Sequence, residues 1–193
     1  MVTDCEAKGV PPRCINTQRL ELRIPHAADA PALYEGVMSS VEVLKPWLAW
    51  AQDYEERGLA AAEEAVQFFN DEFEERKGFN FLCFAGNTLV GGVGLMRPDE
   101  RERSLEVGYW CVKRHQGRGY ITEAAQAVVE YAFAYLPIEK LVILCDAKNV
   151  KSARVAERLK FRFVAEGFDL KPGEDCLYRK YERTKNDDKN RQE

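Results

Sequence analysis

The chain has 193 residues, 46% of them hydrophobic, and a formal charge of −4. That is enough for one well-packed core and too acidic for a nucleic acid bound across a broad basic face. No apolar run approaches the ~20 residues of a membrane span, and the opening MVTDCEAKGVPPRCINTQ lacks the basic-then-apolar order of a secretory signal. Six cysteines stand singly at 5, 14, 83, 111, 145 and 176, beside only two histidines. This argues against a bound metal and a disulfide framework, and for free thiols in a reducing cytoplasm.

In chain order, residues 1–18 read as an irregular arm around a Pro-Pro pair, and RLELRI (19–24) alternates as a first strand. Residues 25–50 suggest two short helices, the second leading to Trp47 and Trp50. From Leu59 to Lys77, Ala62, Val66, Phe69 and Phe73 recur at helical spacing, and Gly78 is the expected stop. FNFLCFAGNTLVGGVGLM (79–96) predicts a hairpin turning at Gly86-Asn87, and SLEVGYWCV (104–112) a third antiparallel strand. After a loop comes a helix with Ile121, Ala125, Val128, Ala132 and Tyr135 on one stripe, closed by Pro137. KLVILCDA (140–147) reads as a strand buried on both faces, and NVKSARVAERLK (149–160) as a short helix. Two last strands follow in 161–170 and 175–182, and the polar tail 183–193 is expected to be disordered. The pattern is one α/β (α+β) domain over 19–182.

The stretch WCVKRHQGRGYITEAAQ (110–126) carries the chemistry. A strand that runs into a helix start leaves backbone N–H groups without partners. Those donors and the positive end of the helix dipole make an anion site. Gly117 and Gly119 allow close backbone approach, while Arg114, His115 and Arg118 add charge and donors. No Gly-Lys-Ser/Thr follows, so this is not a nucleotide P-loop, and GGVGLM lacks the third glycine of a dinucleotide fingerprint. A tight turn with solvated arginines is the plainer alternative.

RHQGRGYITEA resembles the acetyl-CoA pyrophosphate loop of the GNAT acetyltransferases, Arg/Gln-x-x-Gly-x-Gly/Ala, with Arg114, Gly117 and Gly119 at its defined positions. EVGYWC is similar to that family's central strand, NVKSARVAERLKF to its Asn-x-x-Ser helix and following strand, and LKPWLAW to a segment of the ribosomal-protein-alanine (RimJ/RimL) type. Two positions depart from the pattern: Lys160 stands where glycine is usual, and Ile121 where a small residue is common.

The resemblance implies a single-domain GNAT fold, a mixed twisted sheet with helices on both faces and a V-shaped opening beside the central strand. It implies acetyl-CoA as cofactor, with coenzyme A as product. The main chain of Trp110, Cys111 and Val112 would hold the pantetheine arm. Arg114, His115, Gln116, Gly117, Arg118, Gly119 and Tyr120 would take the pyrophosphate, and Asn149 and Ser152 would also contact the cofactor. For direct attack of an amine on the thioester, Glu106 is the candidate base and Ser152 the candidate proton donor to the thiolate. Each has a structural alternative: a strand glutamate paired with arginine, and a serine capping a helix; for Asn149 too a helix cap is the alternative. Glu174 and Asp175 are further base candidates. Cys111 lacks an activating histidine and is a poor nucleophile. Trp47 and Trp50 are expected near the acceptor, one in the core and one in the pocket.

An α-amine with a pKa of about 7.7–8.0 needs only ~1–1.4 kcal/mol to be neutral at pH 7, whereas a lysine at about 10.4 needs ~4.6 kcal/mol. This agrees with the acceptor that the resemblance implies, the N-terminal α-amine of a ribosomal or other protein. A small-molecule amine and a non-catalytic acyl-CoA-binding module are the alternatives. No nucleic-acid or membrane partner is expected, and the chain is read as a monomer or homodimer.

Overall fold

The computed structural model describes residues 10–168, 170 and 176–189. Its strands are β1 (Cys14–Asn16), β2 (Glu21–Arg23), β3 (Phe79–Ala85), β4 (Thr88–Asp99), β5 (Ser104–Cys111), β6 (Lys140–Asp146), β7 (Arg162–Gly167) and β8 (Tyr178–Thr184). They form one sheet in the order β1-β2-β3-β4-β5-β6-β8-β7. Every pair is antiparallel except β5 with β6. The helices are α1 (Ala30–Met38), α2 (Val41–Leu44), α3 (Ala51–Arg57), α4 (Leu59–Glu74), α5 (Tyr120–Tyr135), α6 (Val150–Arg158) and α7 (Lys185–Lys189).

Two apolar layers flank the sheet. On one face, Ala124, Ala125, Val128, Val129 and Ala132 of α5 pack with Phe81, Val93, Val107 and Ile143. On the other, Leu33, Val37, Ala62 and Val66 of α1 and α4 meet Leu82, Phe84 and Leu89. This arises because α5 and α4 each carry one apolar stripe, which the sheet removes from water. The predicted stripe on α5 holds except at its end, where Tyr135 is 40% exposed at the last helical residue.

Several expectations change. The arm is not irregular throughout: Cys14–Asn16 pairs with β2, and the Thr17 amide donates to the Leu20 carbonyl at 2.8 Å to close the turn. Ladder pairing supplies the order that polar residues alone did not signal. Likewise the polar tail starts inside the sheet. Arg183 is 2% exposed and donates to the Leu159 carbonyl at 2.8 Å, and α7 follows β8 directly. A buried guanidinium is tolerated there because a carbonyl at the end of a helix accepts from it. At the end of α4 the left-handed residue is Arg76 (φ 57°), not Gly78.

The end of α6 has the same character. Lys160 adopts φ 60°, its amide donates to Glu157 at 2.9 Å, and that of Phe161 donates to Ala156 at 3.0 Å. These two bonds are a Schellman closure, usually built on glycine. Lys160 therefore keeps the turn at a conformational cost. Ile121, the other departure, is accommodated by Gly91. A Cβ built there would lie 2.9 Å from the Ile121 Cδ1 atom.

Candidate active site

The loop between β5 and α5 is built from its backbone. The Val112 amide donates to Val90 at 2.9 Å, a short 3-10 turn spans Lys113–His115, and Gly119 stands at the N-cap of α5. Gly117 and Gly119 have φ of 78° and 79°, the left-handed region where glycine is favoured. A Cβ on Gly117 would meet nothing within 4 Å. These glycines are thus required by backbone conformation rather than by crowding within the chain. No side chain caps α5, so the amides of its first turn keep their donors for a ligand. Lys113, Arg114 and Arg118 are exposed around this cradle, and the Lys151 ammonium reaches in to donate to Gln116 at 2.9 Å.

His115 belongs to the loop's packing. Its ring lies edge-on to Tyr120 at 6.3 Å and its Nε2 accepts from the Arg114 Nε at 3.1 Å. Desolvation, with Arg114 and Arg118 beside it, pushes the imidazole below its usual range. His115 is therefore neutral at pH 7.

A clasp that the sequence did not disclose holds the loop in place. Glu123, in the first turn of α5, accepts from the Thr17 hydroxyl (2.6 Å), the Arg19 amide (2.9 Å) and the Arg19 Nε (2.6 Å). Arg19 also donates to the Arg118 carbonyl at 3.0 Å and lies over the Tyr120 ring. Burial opposes the charge on Glu123, but these donors outweigh it and hold its carboxyl below the ordinary range. Pairs separated by 99 to 106 residues leave no local pattern to read.

Beside the loop the sheet opens. β5 and β6 are in register only from Ser104↔Lys140 to Glu106↔Val142, whereas β6 stays paired with β8 along its whole length, to Asp146↔Tyr178. Residues 107–111 of β5 consequently have a neighbour on one side only. Ladder groups alternate along a strand. The Val112 amide is bonded to β4, and the Trp110 carbonyl faces it, 2.3 Å from a Cβ built on Gly91. The groups directed at the opening are therefore those of Tyr109 and Cys111. Of the three residues expected to hold a ligand through their main chain, Cys111 alone offers it there; Trp110 and Val112 are committed to β4. Desolvation raises the Cys111 thiol to about 11, although Lys151 opposes it, so this is a neutral thiol and not a nucleophile.

One cleft of about 2090 Å³ connects these parts, and its lining includes Gly117, Tyr120, Trp50, Arg97 and Glu106. Glu106 is not alone in it. Its Oε2 accepts from the Arg97 guanidinium at 2.8 Å, and its side chain is 14% exposed. The arginine pairing named as the alternative for Glu106 is thus present, and the carboxylate still lines the cleft. Arg97 itself holds a left-handed φ of 51°.

Ser152 is not a helix cap. Asn149 caps α6, its Oδ1 accepting from the Ser152 amide at 3.1 Å, which leaves the serine hydroxyl free for other work. That hydroxyl lies 3.0 Å from the Tyr109 hydroxyl and within hydrogen-bond reach of the Cys145 thiol. Tyr109 was not among the expected site residues. Its position in EVGYWC is ordinary for a strand aromatic, and only the tertiary contact distinguishes it.

Trp47 and Trp50 are 38% and 37% exposed and both line the cleft, so neither is core. They sit between α2 and α3, where turns present both rings outward, and Trp50 meets Trp110 edge-on at 6.0 Å. Glu174 and Asp175 lie outside the described residues. Among the described residues no group of three His, Cys, Asp or Glu is placed to hold a metal ion, and no helix is long and apolar enough to cross a membrane.

The Acetyltransferase (GNAT) domain family matches residues 19–162. The ribosomal-protein-serine acetyltransferase of Escherichia coli (strain K12) is 32% identical over 87 residues, 45% of this chain and 48% of that one. Among solved structures, the microcin C7 self immunity acetyltransferase MccE, in complex with acetyl-CoA and AMP, superposes with a TM-score of 0.82 at 18% identity, covering 91% of this chain and 98% of that one. RimL, a ribosomal L7/L12 alpha-N-protein acetyltransferase in complex with coenzyme A, gives a TM-score of 0.79 at 22% identity, covering 91% and 97%. These two likenesses carry the fold: a mixed sheet between helical layers, opened beside β5. The chain belongs to the GNAT acetyltransferase family, and it is an acetyl-CoA-dependent N-acetyltransferase.

Proposed function

We propose that the acceptor is the α-amino group of a protein N-terminus, a ribosomal protein being the leading substrate, and that the reaction takes place in the cytoplasm. The observation that carries this reading is the size of the cleft. Pockets for small molecules span roughly 300–1,000 Å³, and this one, at about 2090 Å³ with the part-exposed Trp47 and Trp50 in its lining, has room for a chain segment beside the acetyl donor. The names of RimL and of the E. coli relative favour the same acceptor class. Among the described cysteines, 14, 83, 111, 145 and 176 are all free, which suits a reducing compartment.

The residues fit the donor. Open amides at the start of α5, left-handed glycines and the surrounding cations match a diphosphate, and the unpaired edge at Cys111 matches an amide-bearing arm. The donor supplies an acetyl group activated as a thioester. Glu106, held by Arg97, takes the proton that the amine nitrogen loses as the C–N bond forms. The Cys111 amide donates to the carbonyl oxygen as it gains charge. The Ser152 hydroxyl supplies the proton that sulfur gains as the C–S bond breaks, and water restores both groups. An α-amine suits such a site, because a single ion-paired carboxylate needs to remove only about 1–1.4 kcal/mol worth of protonation.

The test is thiol release from acetyl-CoA with a panel of peptides bearing free N-termini, the same peptides blocked at the α-amine but carrying lysine, and small amines including polyamines and aminoacyl conjugates. Turnover confined to free N-termini is expected. Turnover of small amines alone would replace the peptide reading with the small-molecule one.

A further inference from the structure

We infer that Tyr109 is a positioning residue for Ser152, its hydroxyl gripping both oxygens of that serine across the opening between β5 and α6. The inference rests on Ser152 as the proton donor proposed above. Tyr109 lies three residues beyond Glu106, where β6 has already left β5. Ser152 belongs to α6, which follows β6. No ladder bond joins the two sides at this level, and the phenol reaches across instead. Its oxygen is 3.0 Å from the Ser152 carbonyl and 3.0 Å from the Ser152 Oγ. With the Asn149 side chain accepting from the Ser152 amide at 3.1 Å, all three polar groups of the serine are held by named partners.

The donor count explains why such a grip matters. A carbonyl only accepts, and a phenol has one proton. At rest that proton can sit on the carbonyl, leaving Ser152 to direct its own toward the cleft. As Ser152 gives up its proton and its oxygen gains negative charge, the same phenol proton can turn to Oγ without the ring moving, because the two distances are equal. Hydrogen bonds to charged groups are stronger than neutral ones, so this contact strengthens where the reaction needs it. Burial, lessened by the bond to Ser152, raises the Tyr109 phenol well above its usual range. It therefore remains an O–H donor at neutral pH, able to serve either serine oxygen. The Cys145 thiol, also beside Ser152, is a weak donor and is no substitute.

The experiment is a double-mutant cycle in steady-state kinetics, using acetyl-CoA and the best peptide of the panel. Ser152→Ala alone should lower kcat; if it does not, the serine assignment fails and the role of Tyr109 fails with it. Tyr109→Phe should lower kcat roughly 10-fold, the size expected for a lost hydrogen bond to a charging oxygen, with KM for acetyl-CoA within about 2-fold. In the Ser152→Ala background the same change should cost nothing further. Equal losses in both backgrounds, or a loss seen in KM alone, would overturn the proposal, as would wild-type kcat in Tyr109→Phe. Should that variant fold poorly, 3-fluorotyrosine placed at 109 gives a second reading. Its fluorine resonance should shift on Ser152→Ala, and an unmoved resonance overturns the contact.

Discussion

Replacing Lys160 by glycine should stabilise the protein without touching its site. Lys160 is exposed and closes α6 with φ 60°. For a residue with a Cβ, the left-handed conformation costs roughly 1–2 kcal/mol. Glycine removes that cost and returns about 0.5–1 kcal/mol of conformational entropy to the unfolded chain. The net gain is then on the order of 0.5–1 kcal/mol. The closing bonds, from residue 160 to Glu157 (2.9 Å) and from Phe161 to Ala156 (3.0 Å), use main-chain atoms that glycine keeps. For a chain of this size, 1 kcal/mol moves Tm by about 2–4 °C, so Lys160→Gly should melt roughly 1–4 °C higher in a reversible thermal scan. Lys160→Ala is the control, since it discards the side chain and keeps the Cβ. It should bring no gain. A Tm for the glycine variant at or below wild type, or an alanine variant that rises equally, would refute the account of strain at the end of α6.

Gly117→Glu should abolish the thermal shift that acetyl-CoA gives the wild type, which is about 2.7 kcal/mol of stability at ~100 times the dissociation constant. It places negative charge and a side chain at φ 78° in the cradle, and a retained shift would count against the loop assignment. Glu123→Gln should destabilise the protein and loosen the loop. Because the folded carboxyl titrates lower than the unfolded one, its contribution is complete above the unfolded value of about 4.3 and is lost as pH falls through the folded value. Denaturation midpoints of wild type and variant should thus differ at pH 7 and converge in acid; a gap that widens on acidification contradicts the clasp. Tyr131→Phe should be neutral or slightly stabilising by chemical denaturation. The Tyr131 hydroxyl is buried without a hydrogen-bond partner among the described residues, and removing an unsatisfied polar group relieves its desolvation. A loss above ~1 kcal/mol would show that the hydroxyl has a partner.

Local chemistry carried much of the outcome. The hairpin turn at Gly86-Asn87, the apolar stripe of α5 and the glycines at 117 and 119 each depend on backbone preference or on periodicity, properties of neighbouring residues that tertiary contacts here did not override. The uncapped start of α5 is legible for the same reason: its donors are main-chain groups, and their exposure follows from where the helix begins. Side-chain roles were less legible, because each depends on a distant partner. Whether Glu106 stands alone or faces Arg97, and whether Ser152 caps a helix or leaves that task to Asn149, turns on distances no spacing rule contains. The register of the sheet decided that Cys111 and Tyr109, rather than Trp110 and Val112, turn their main chain to the opening. The Glu123 clasp and the Tyr109–Ser152 contact join residues 106 and 43 positions apart. Such pairs form only after the sheet has brought its strands together. The sequence by itself thus determined the elements and the glycine loop that opens α5, and the tertiary structure alone decided which polar groups meet around it.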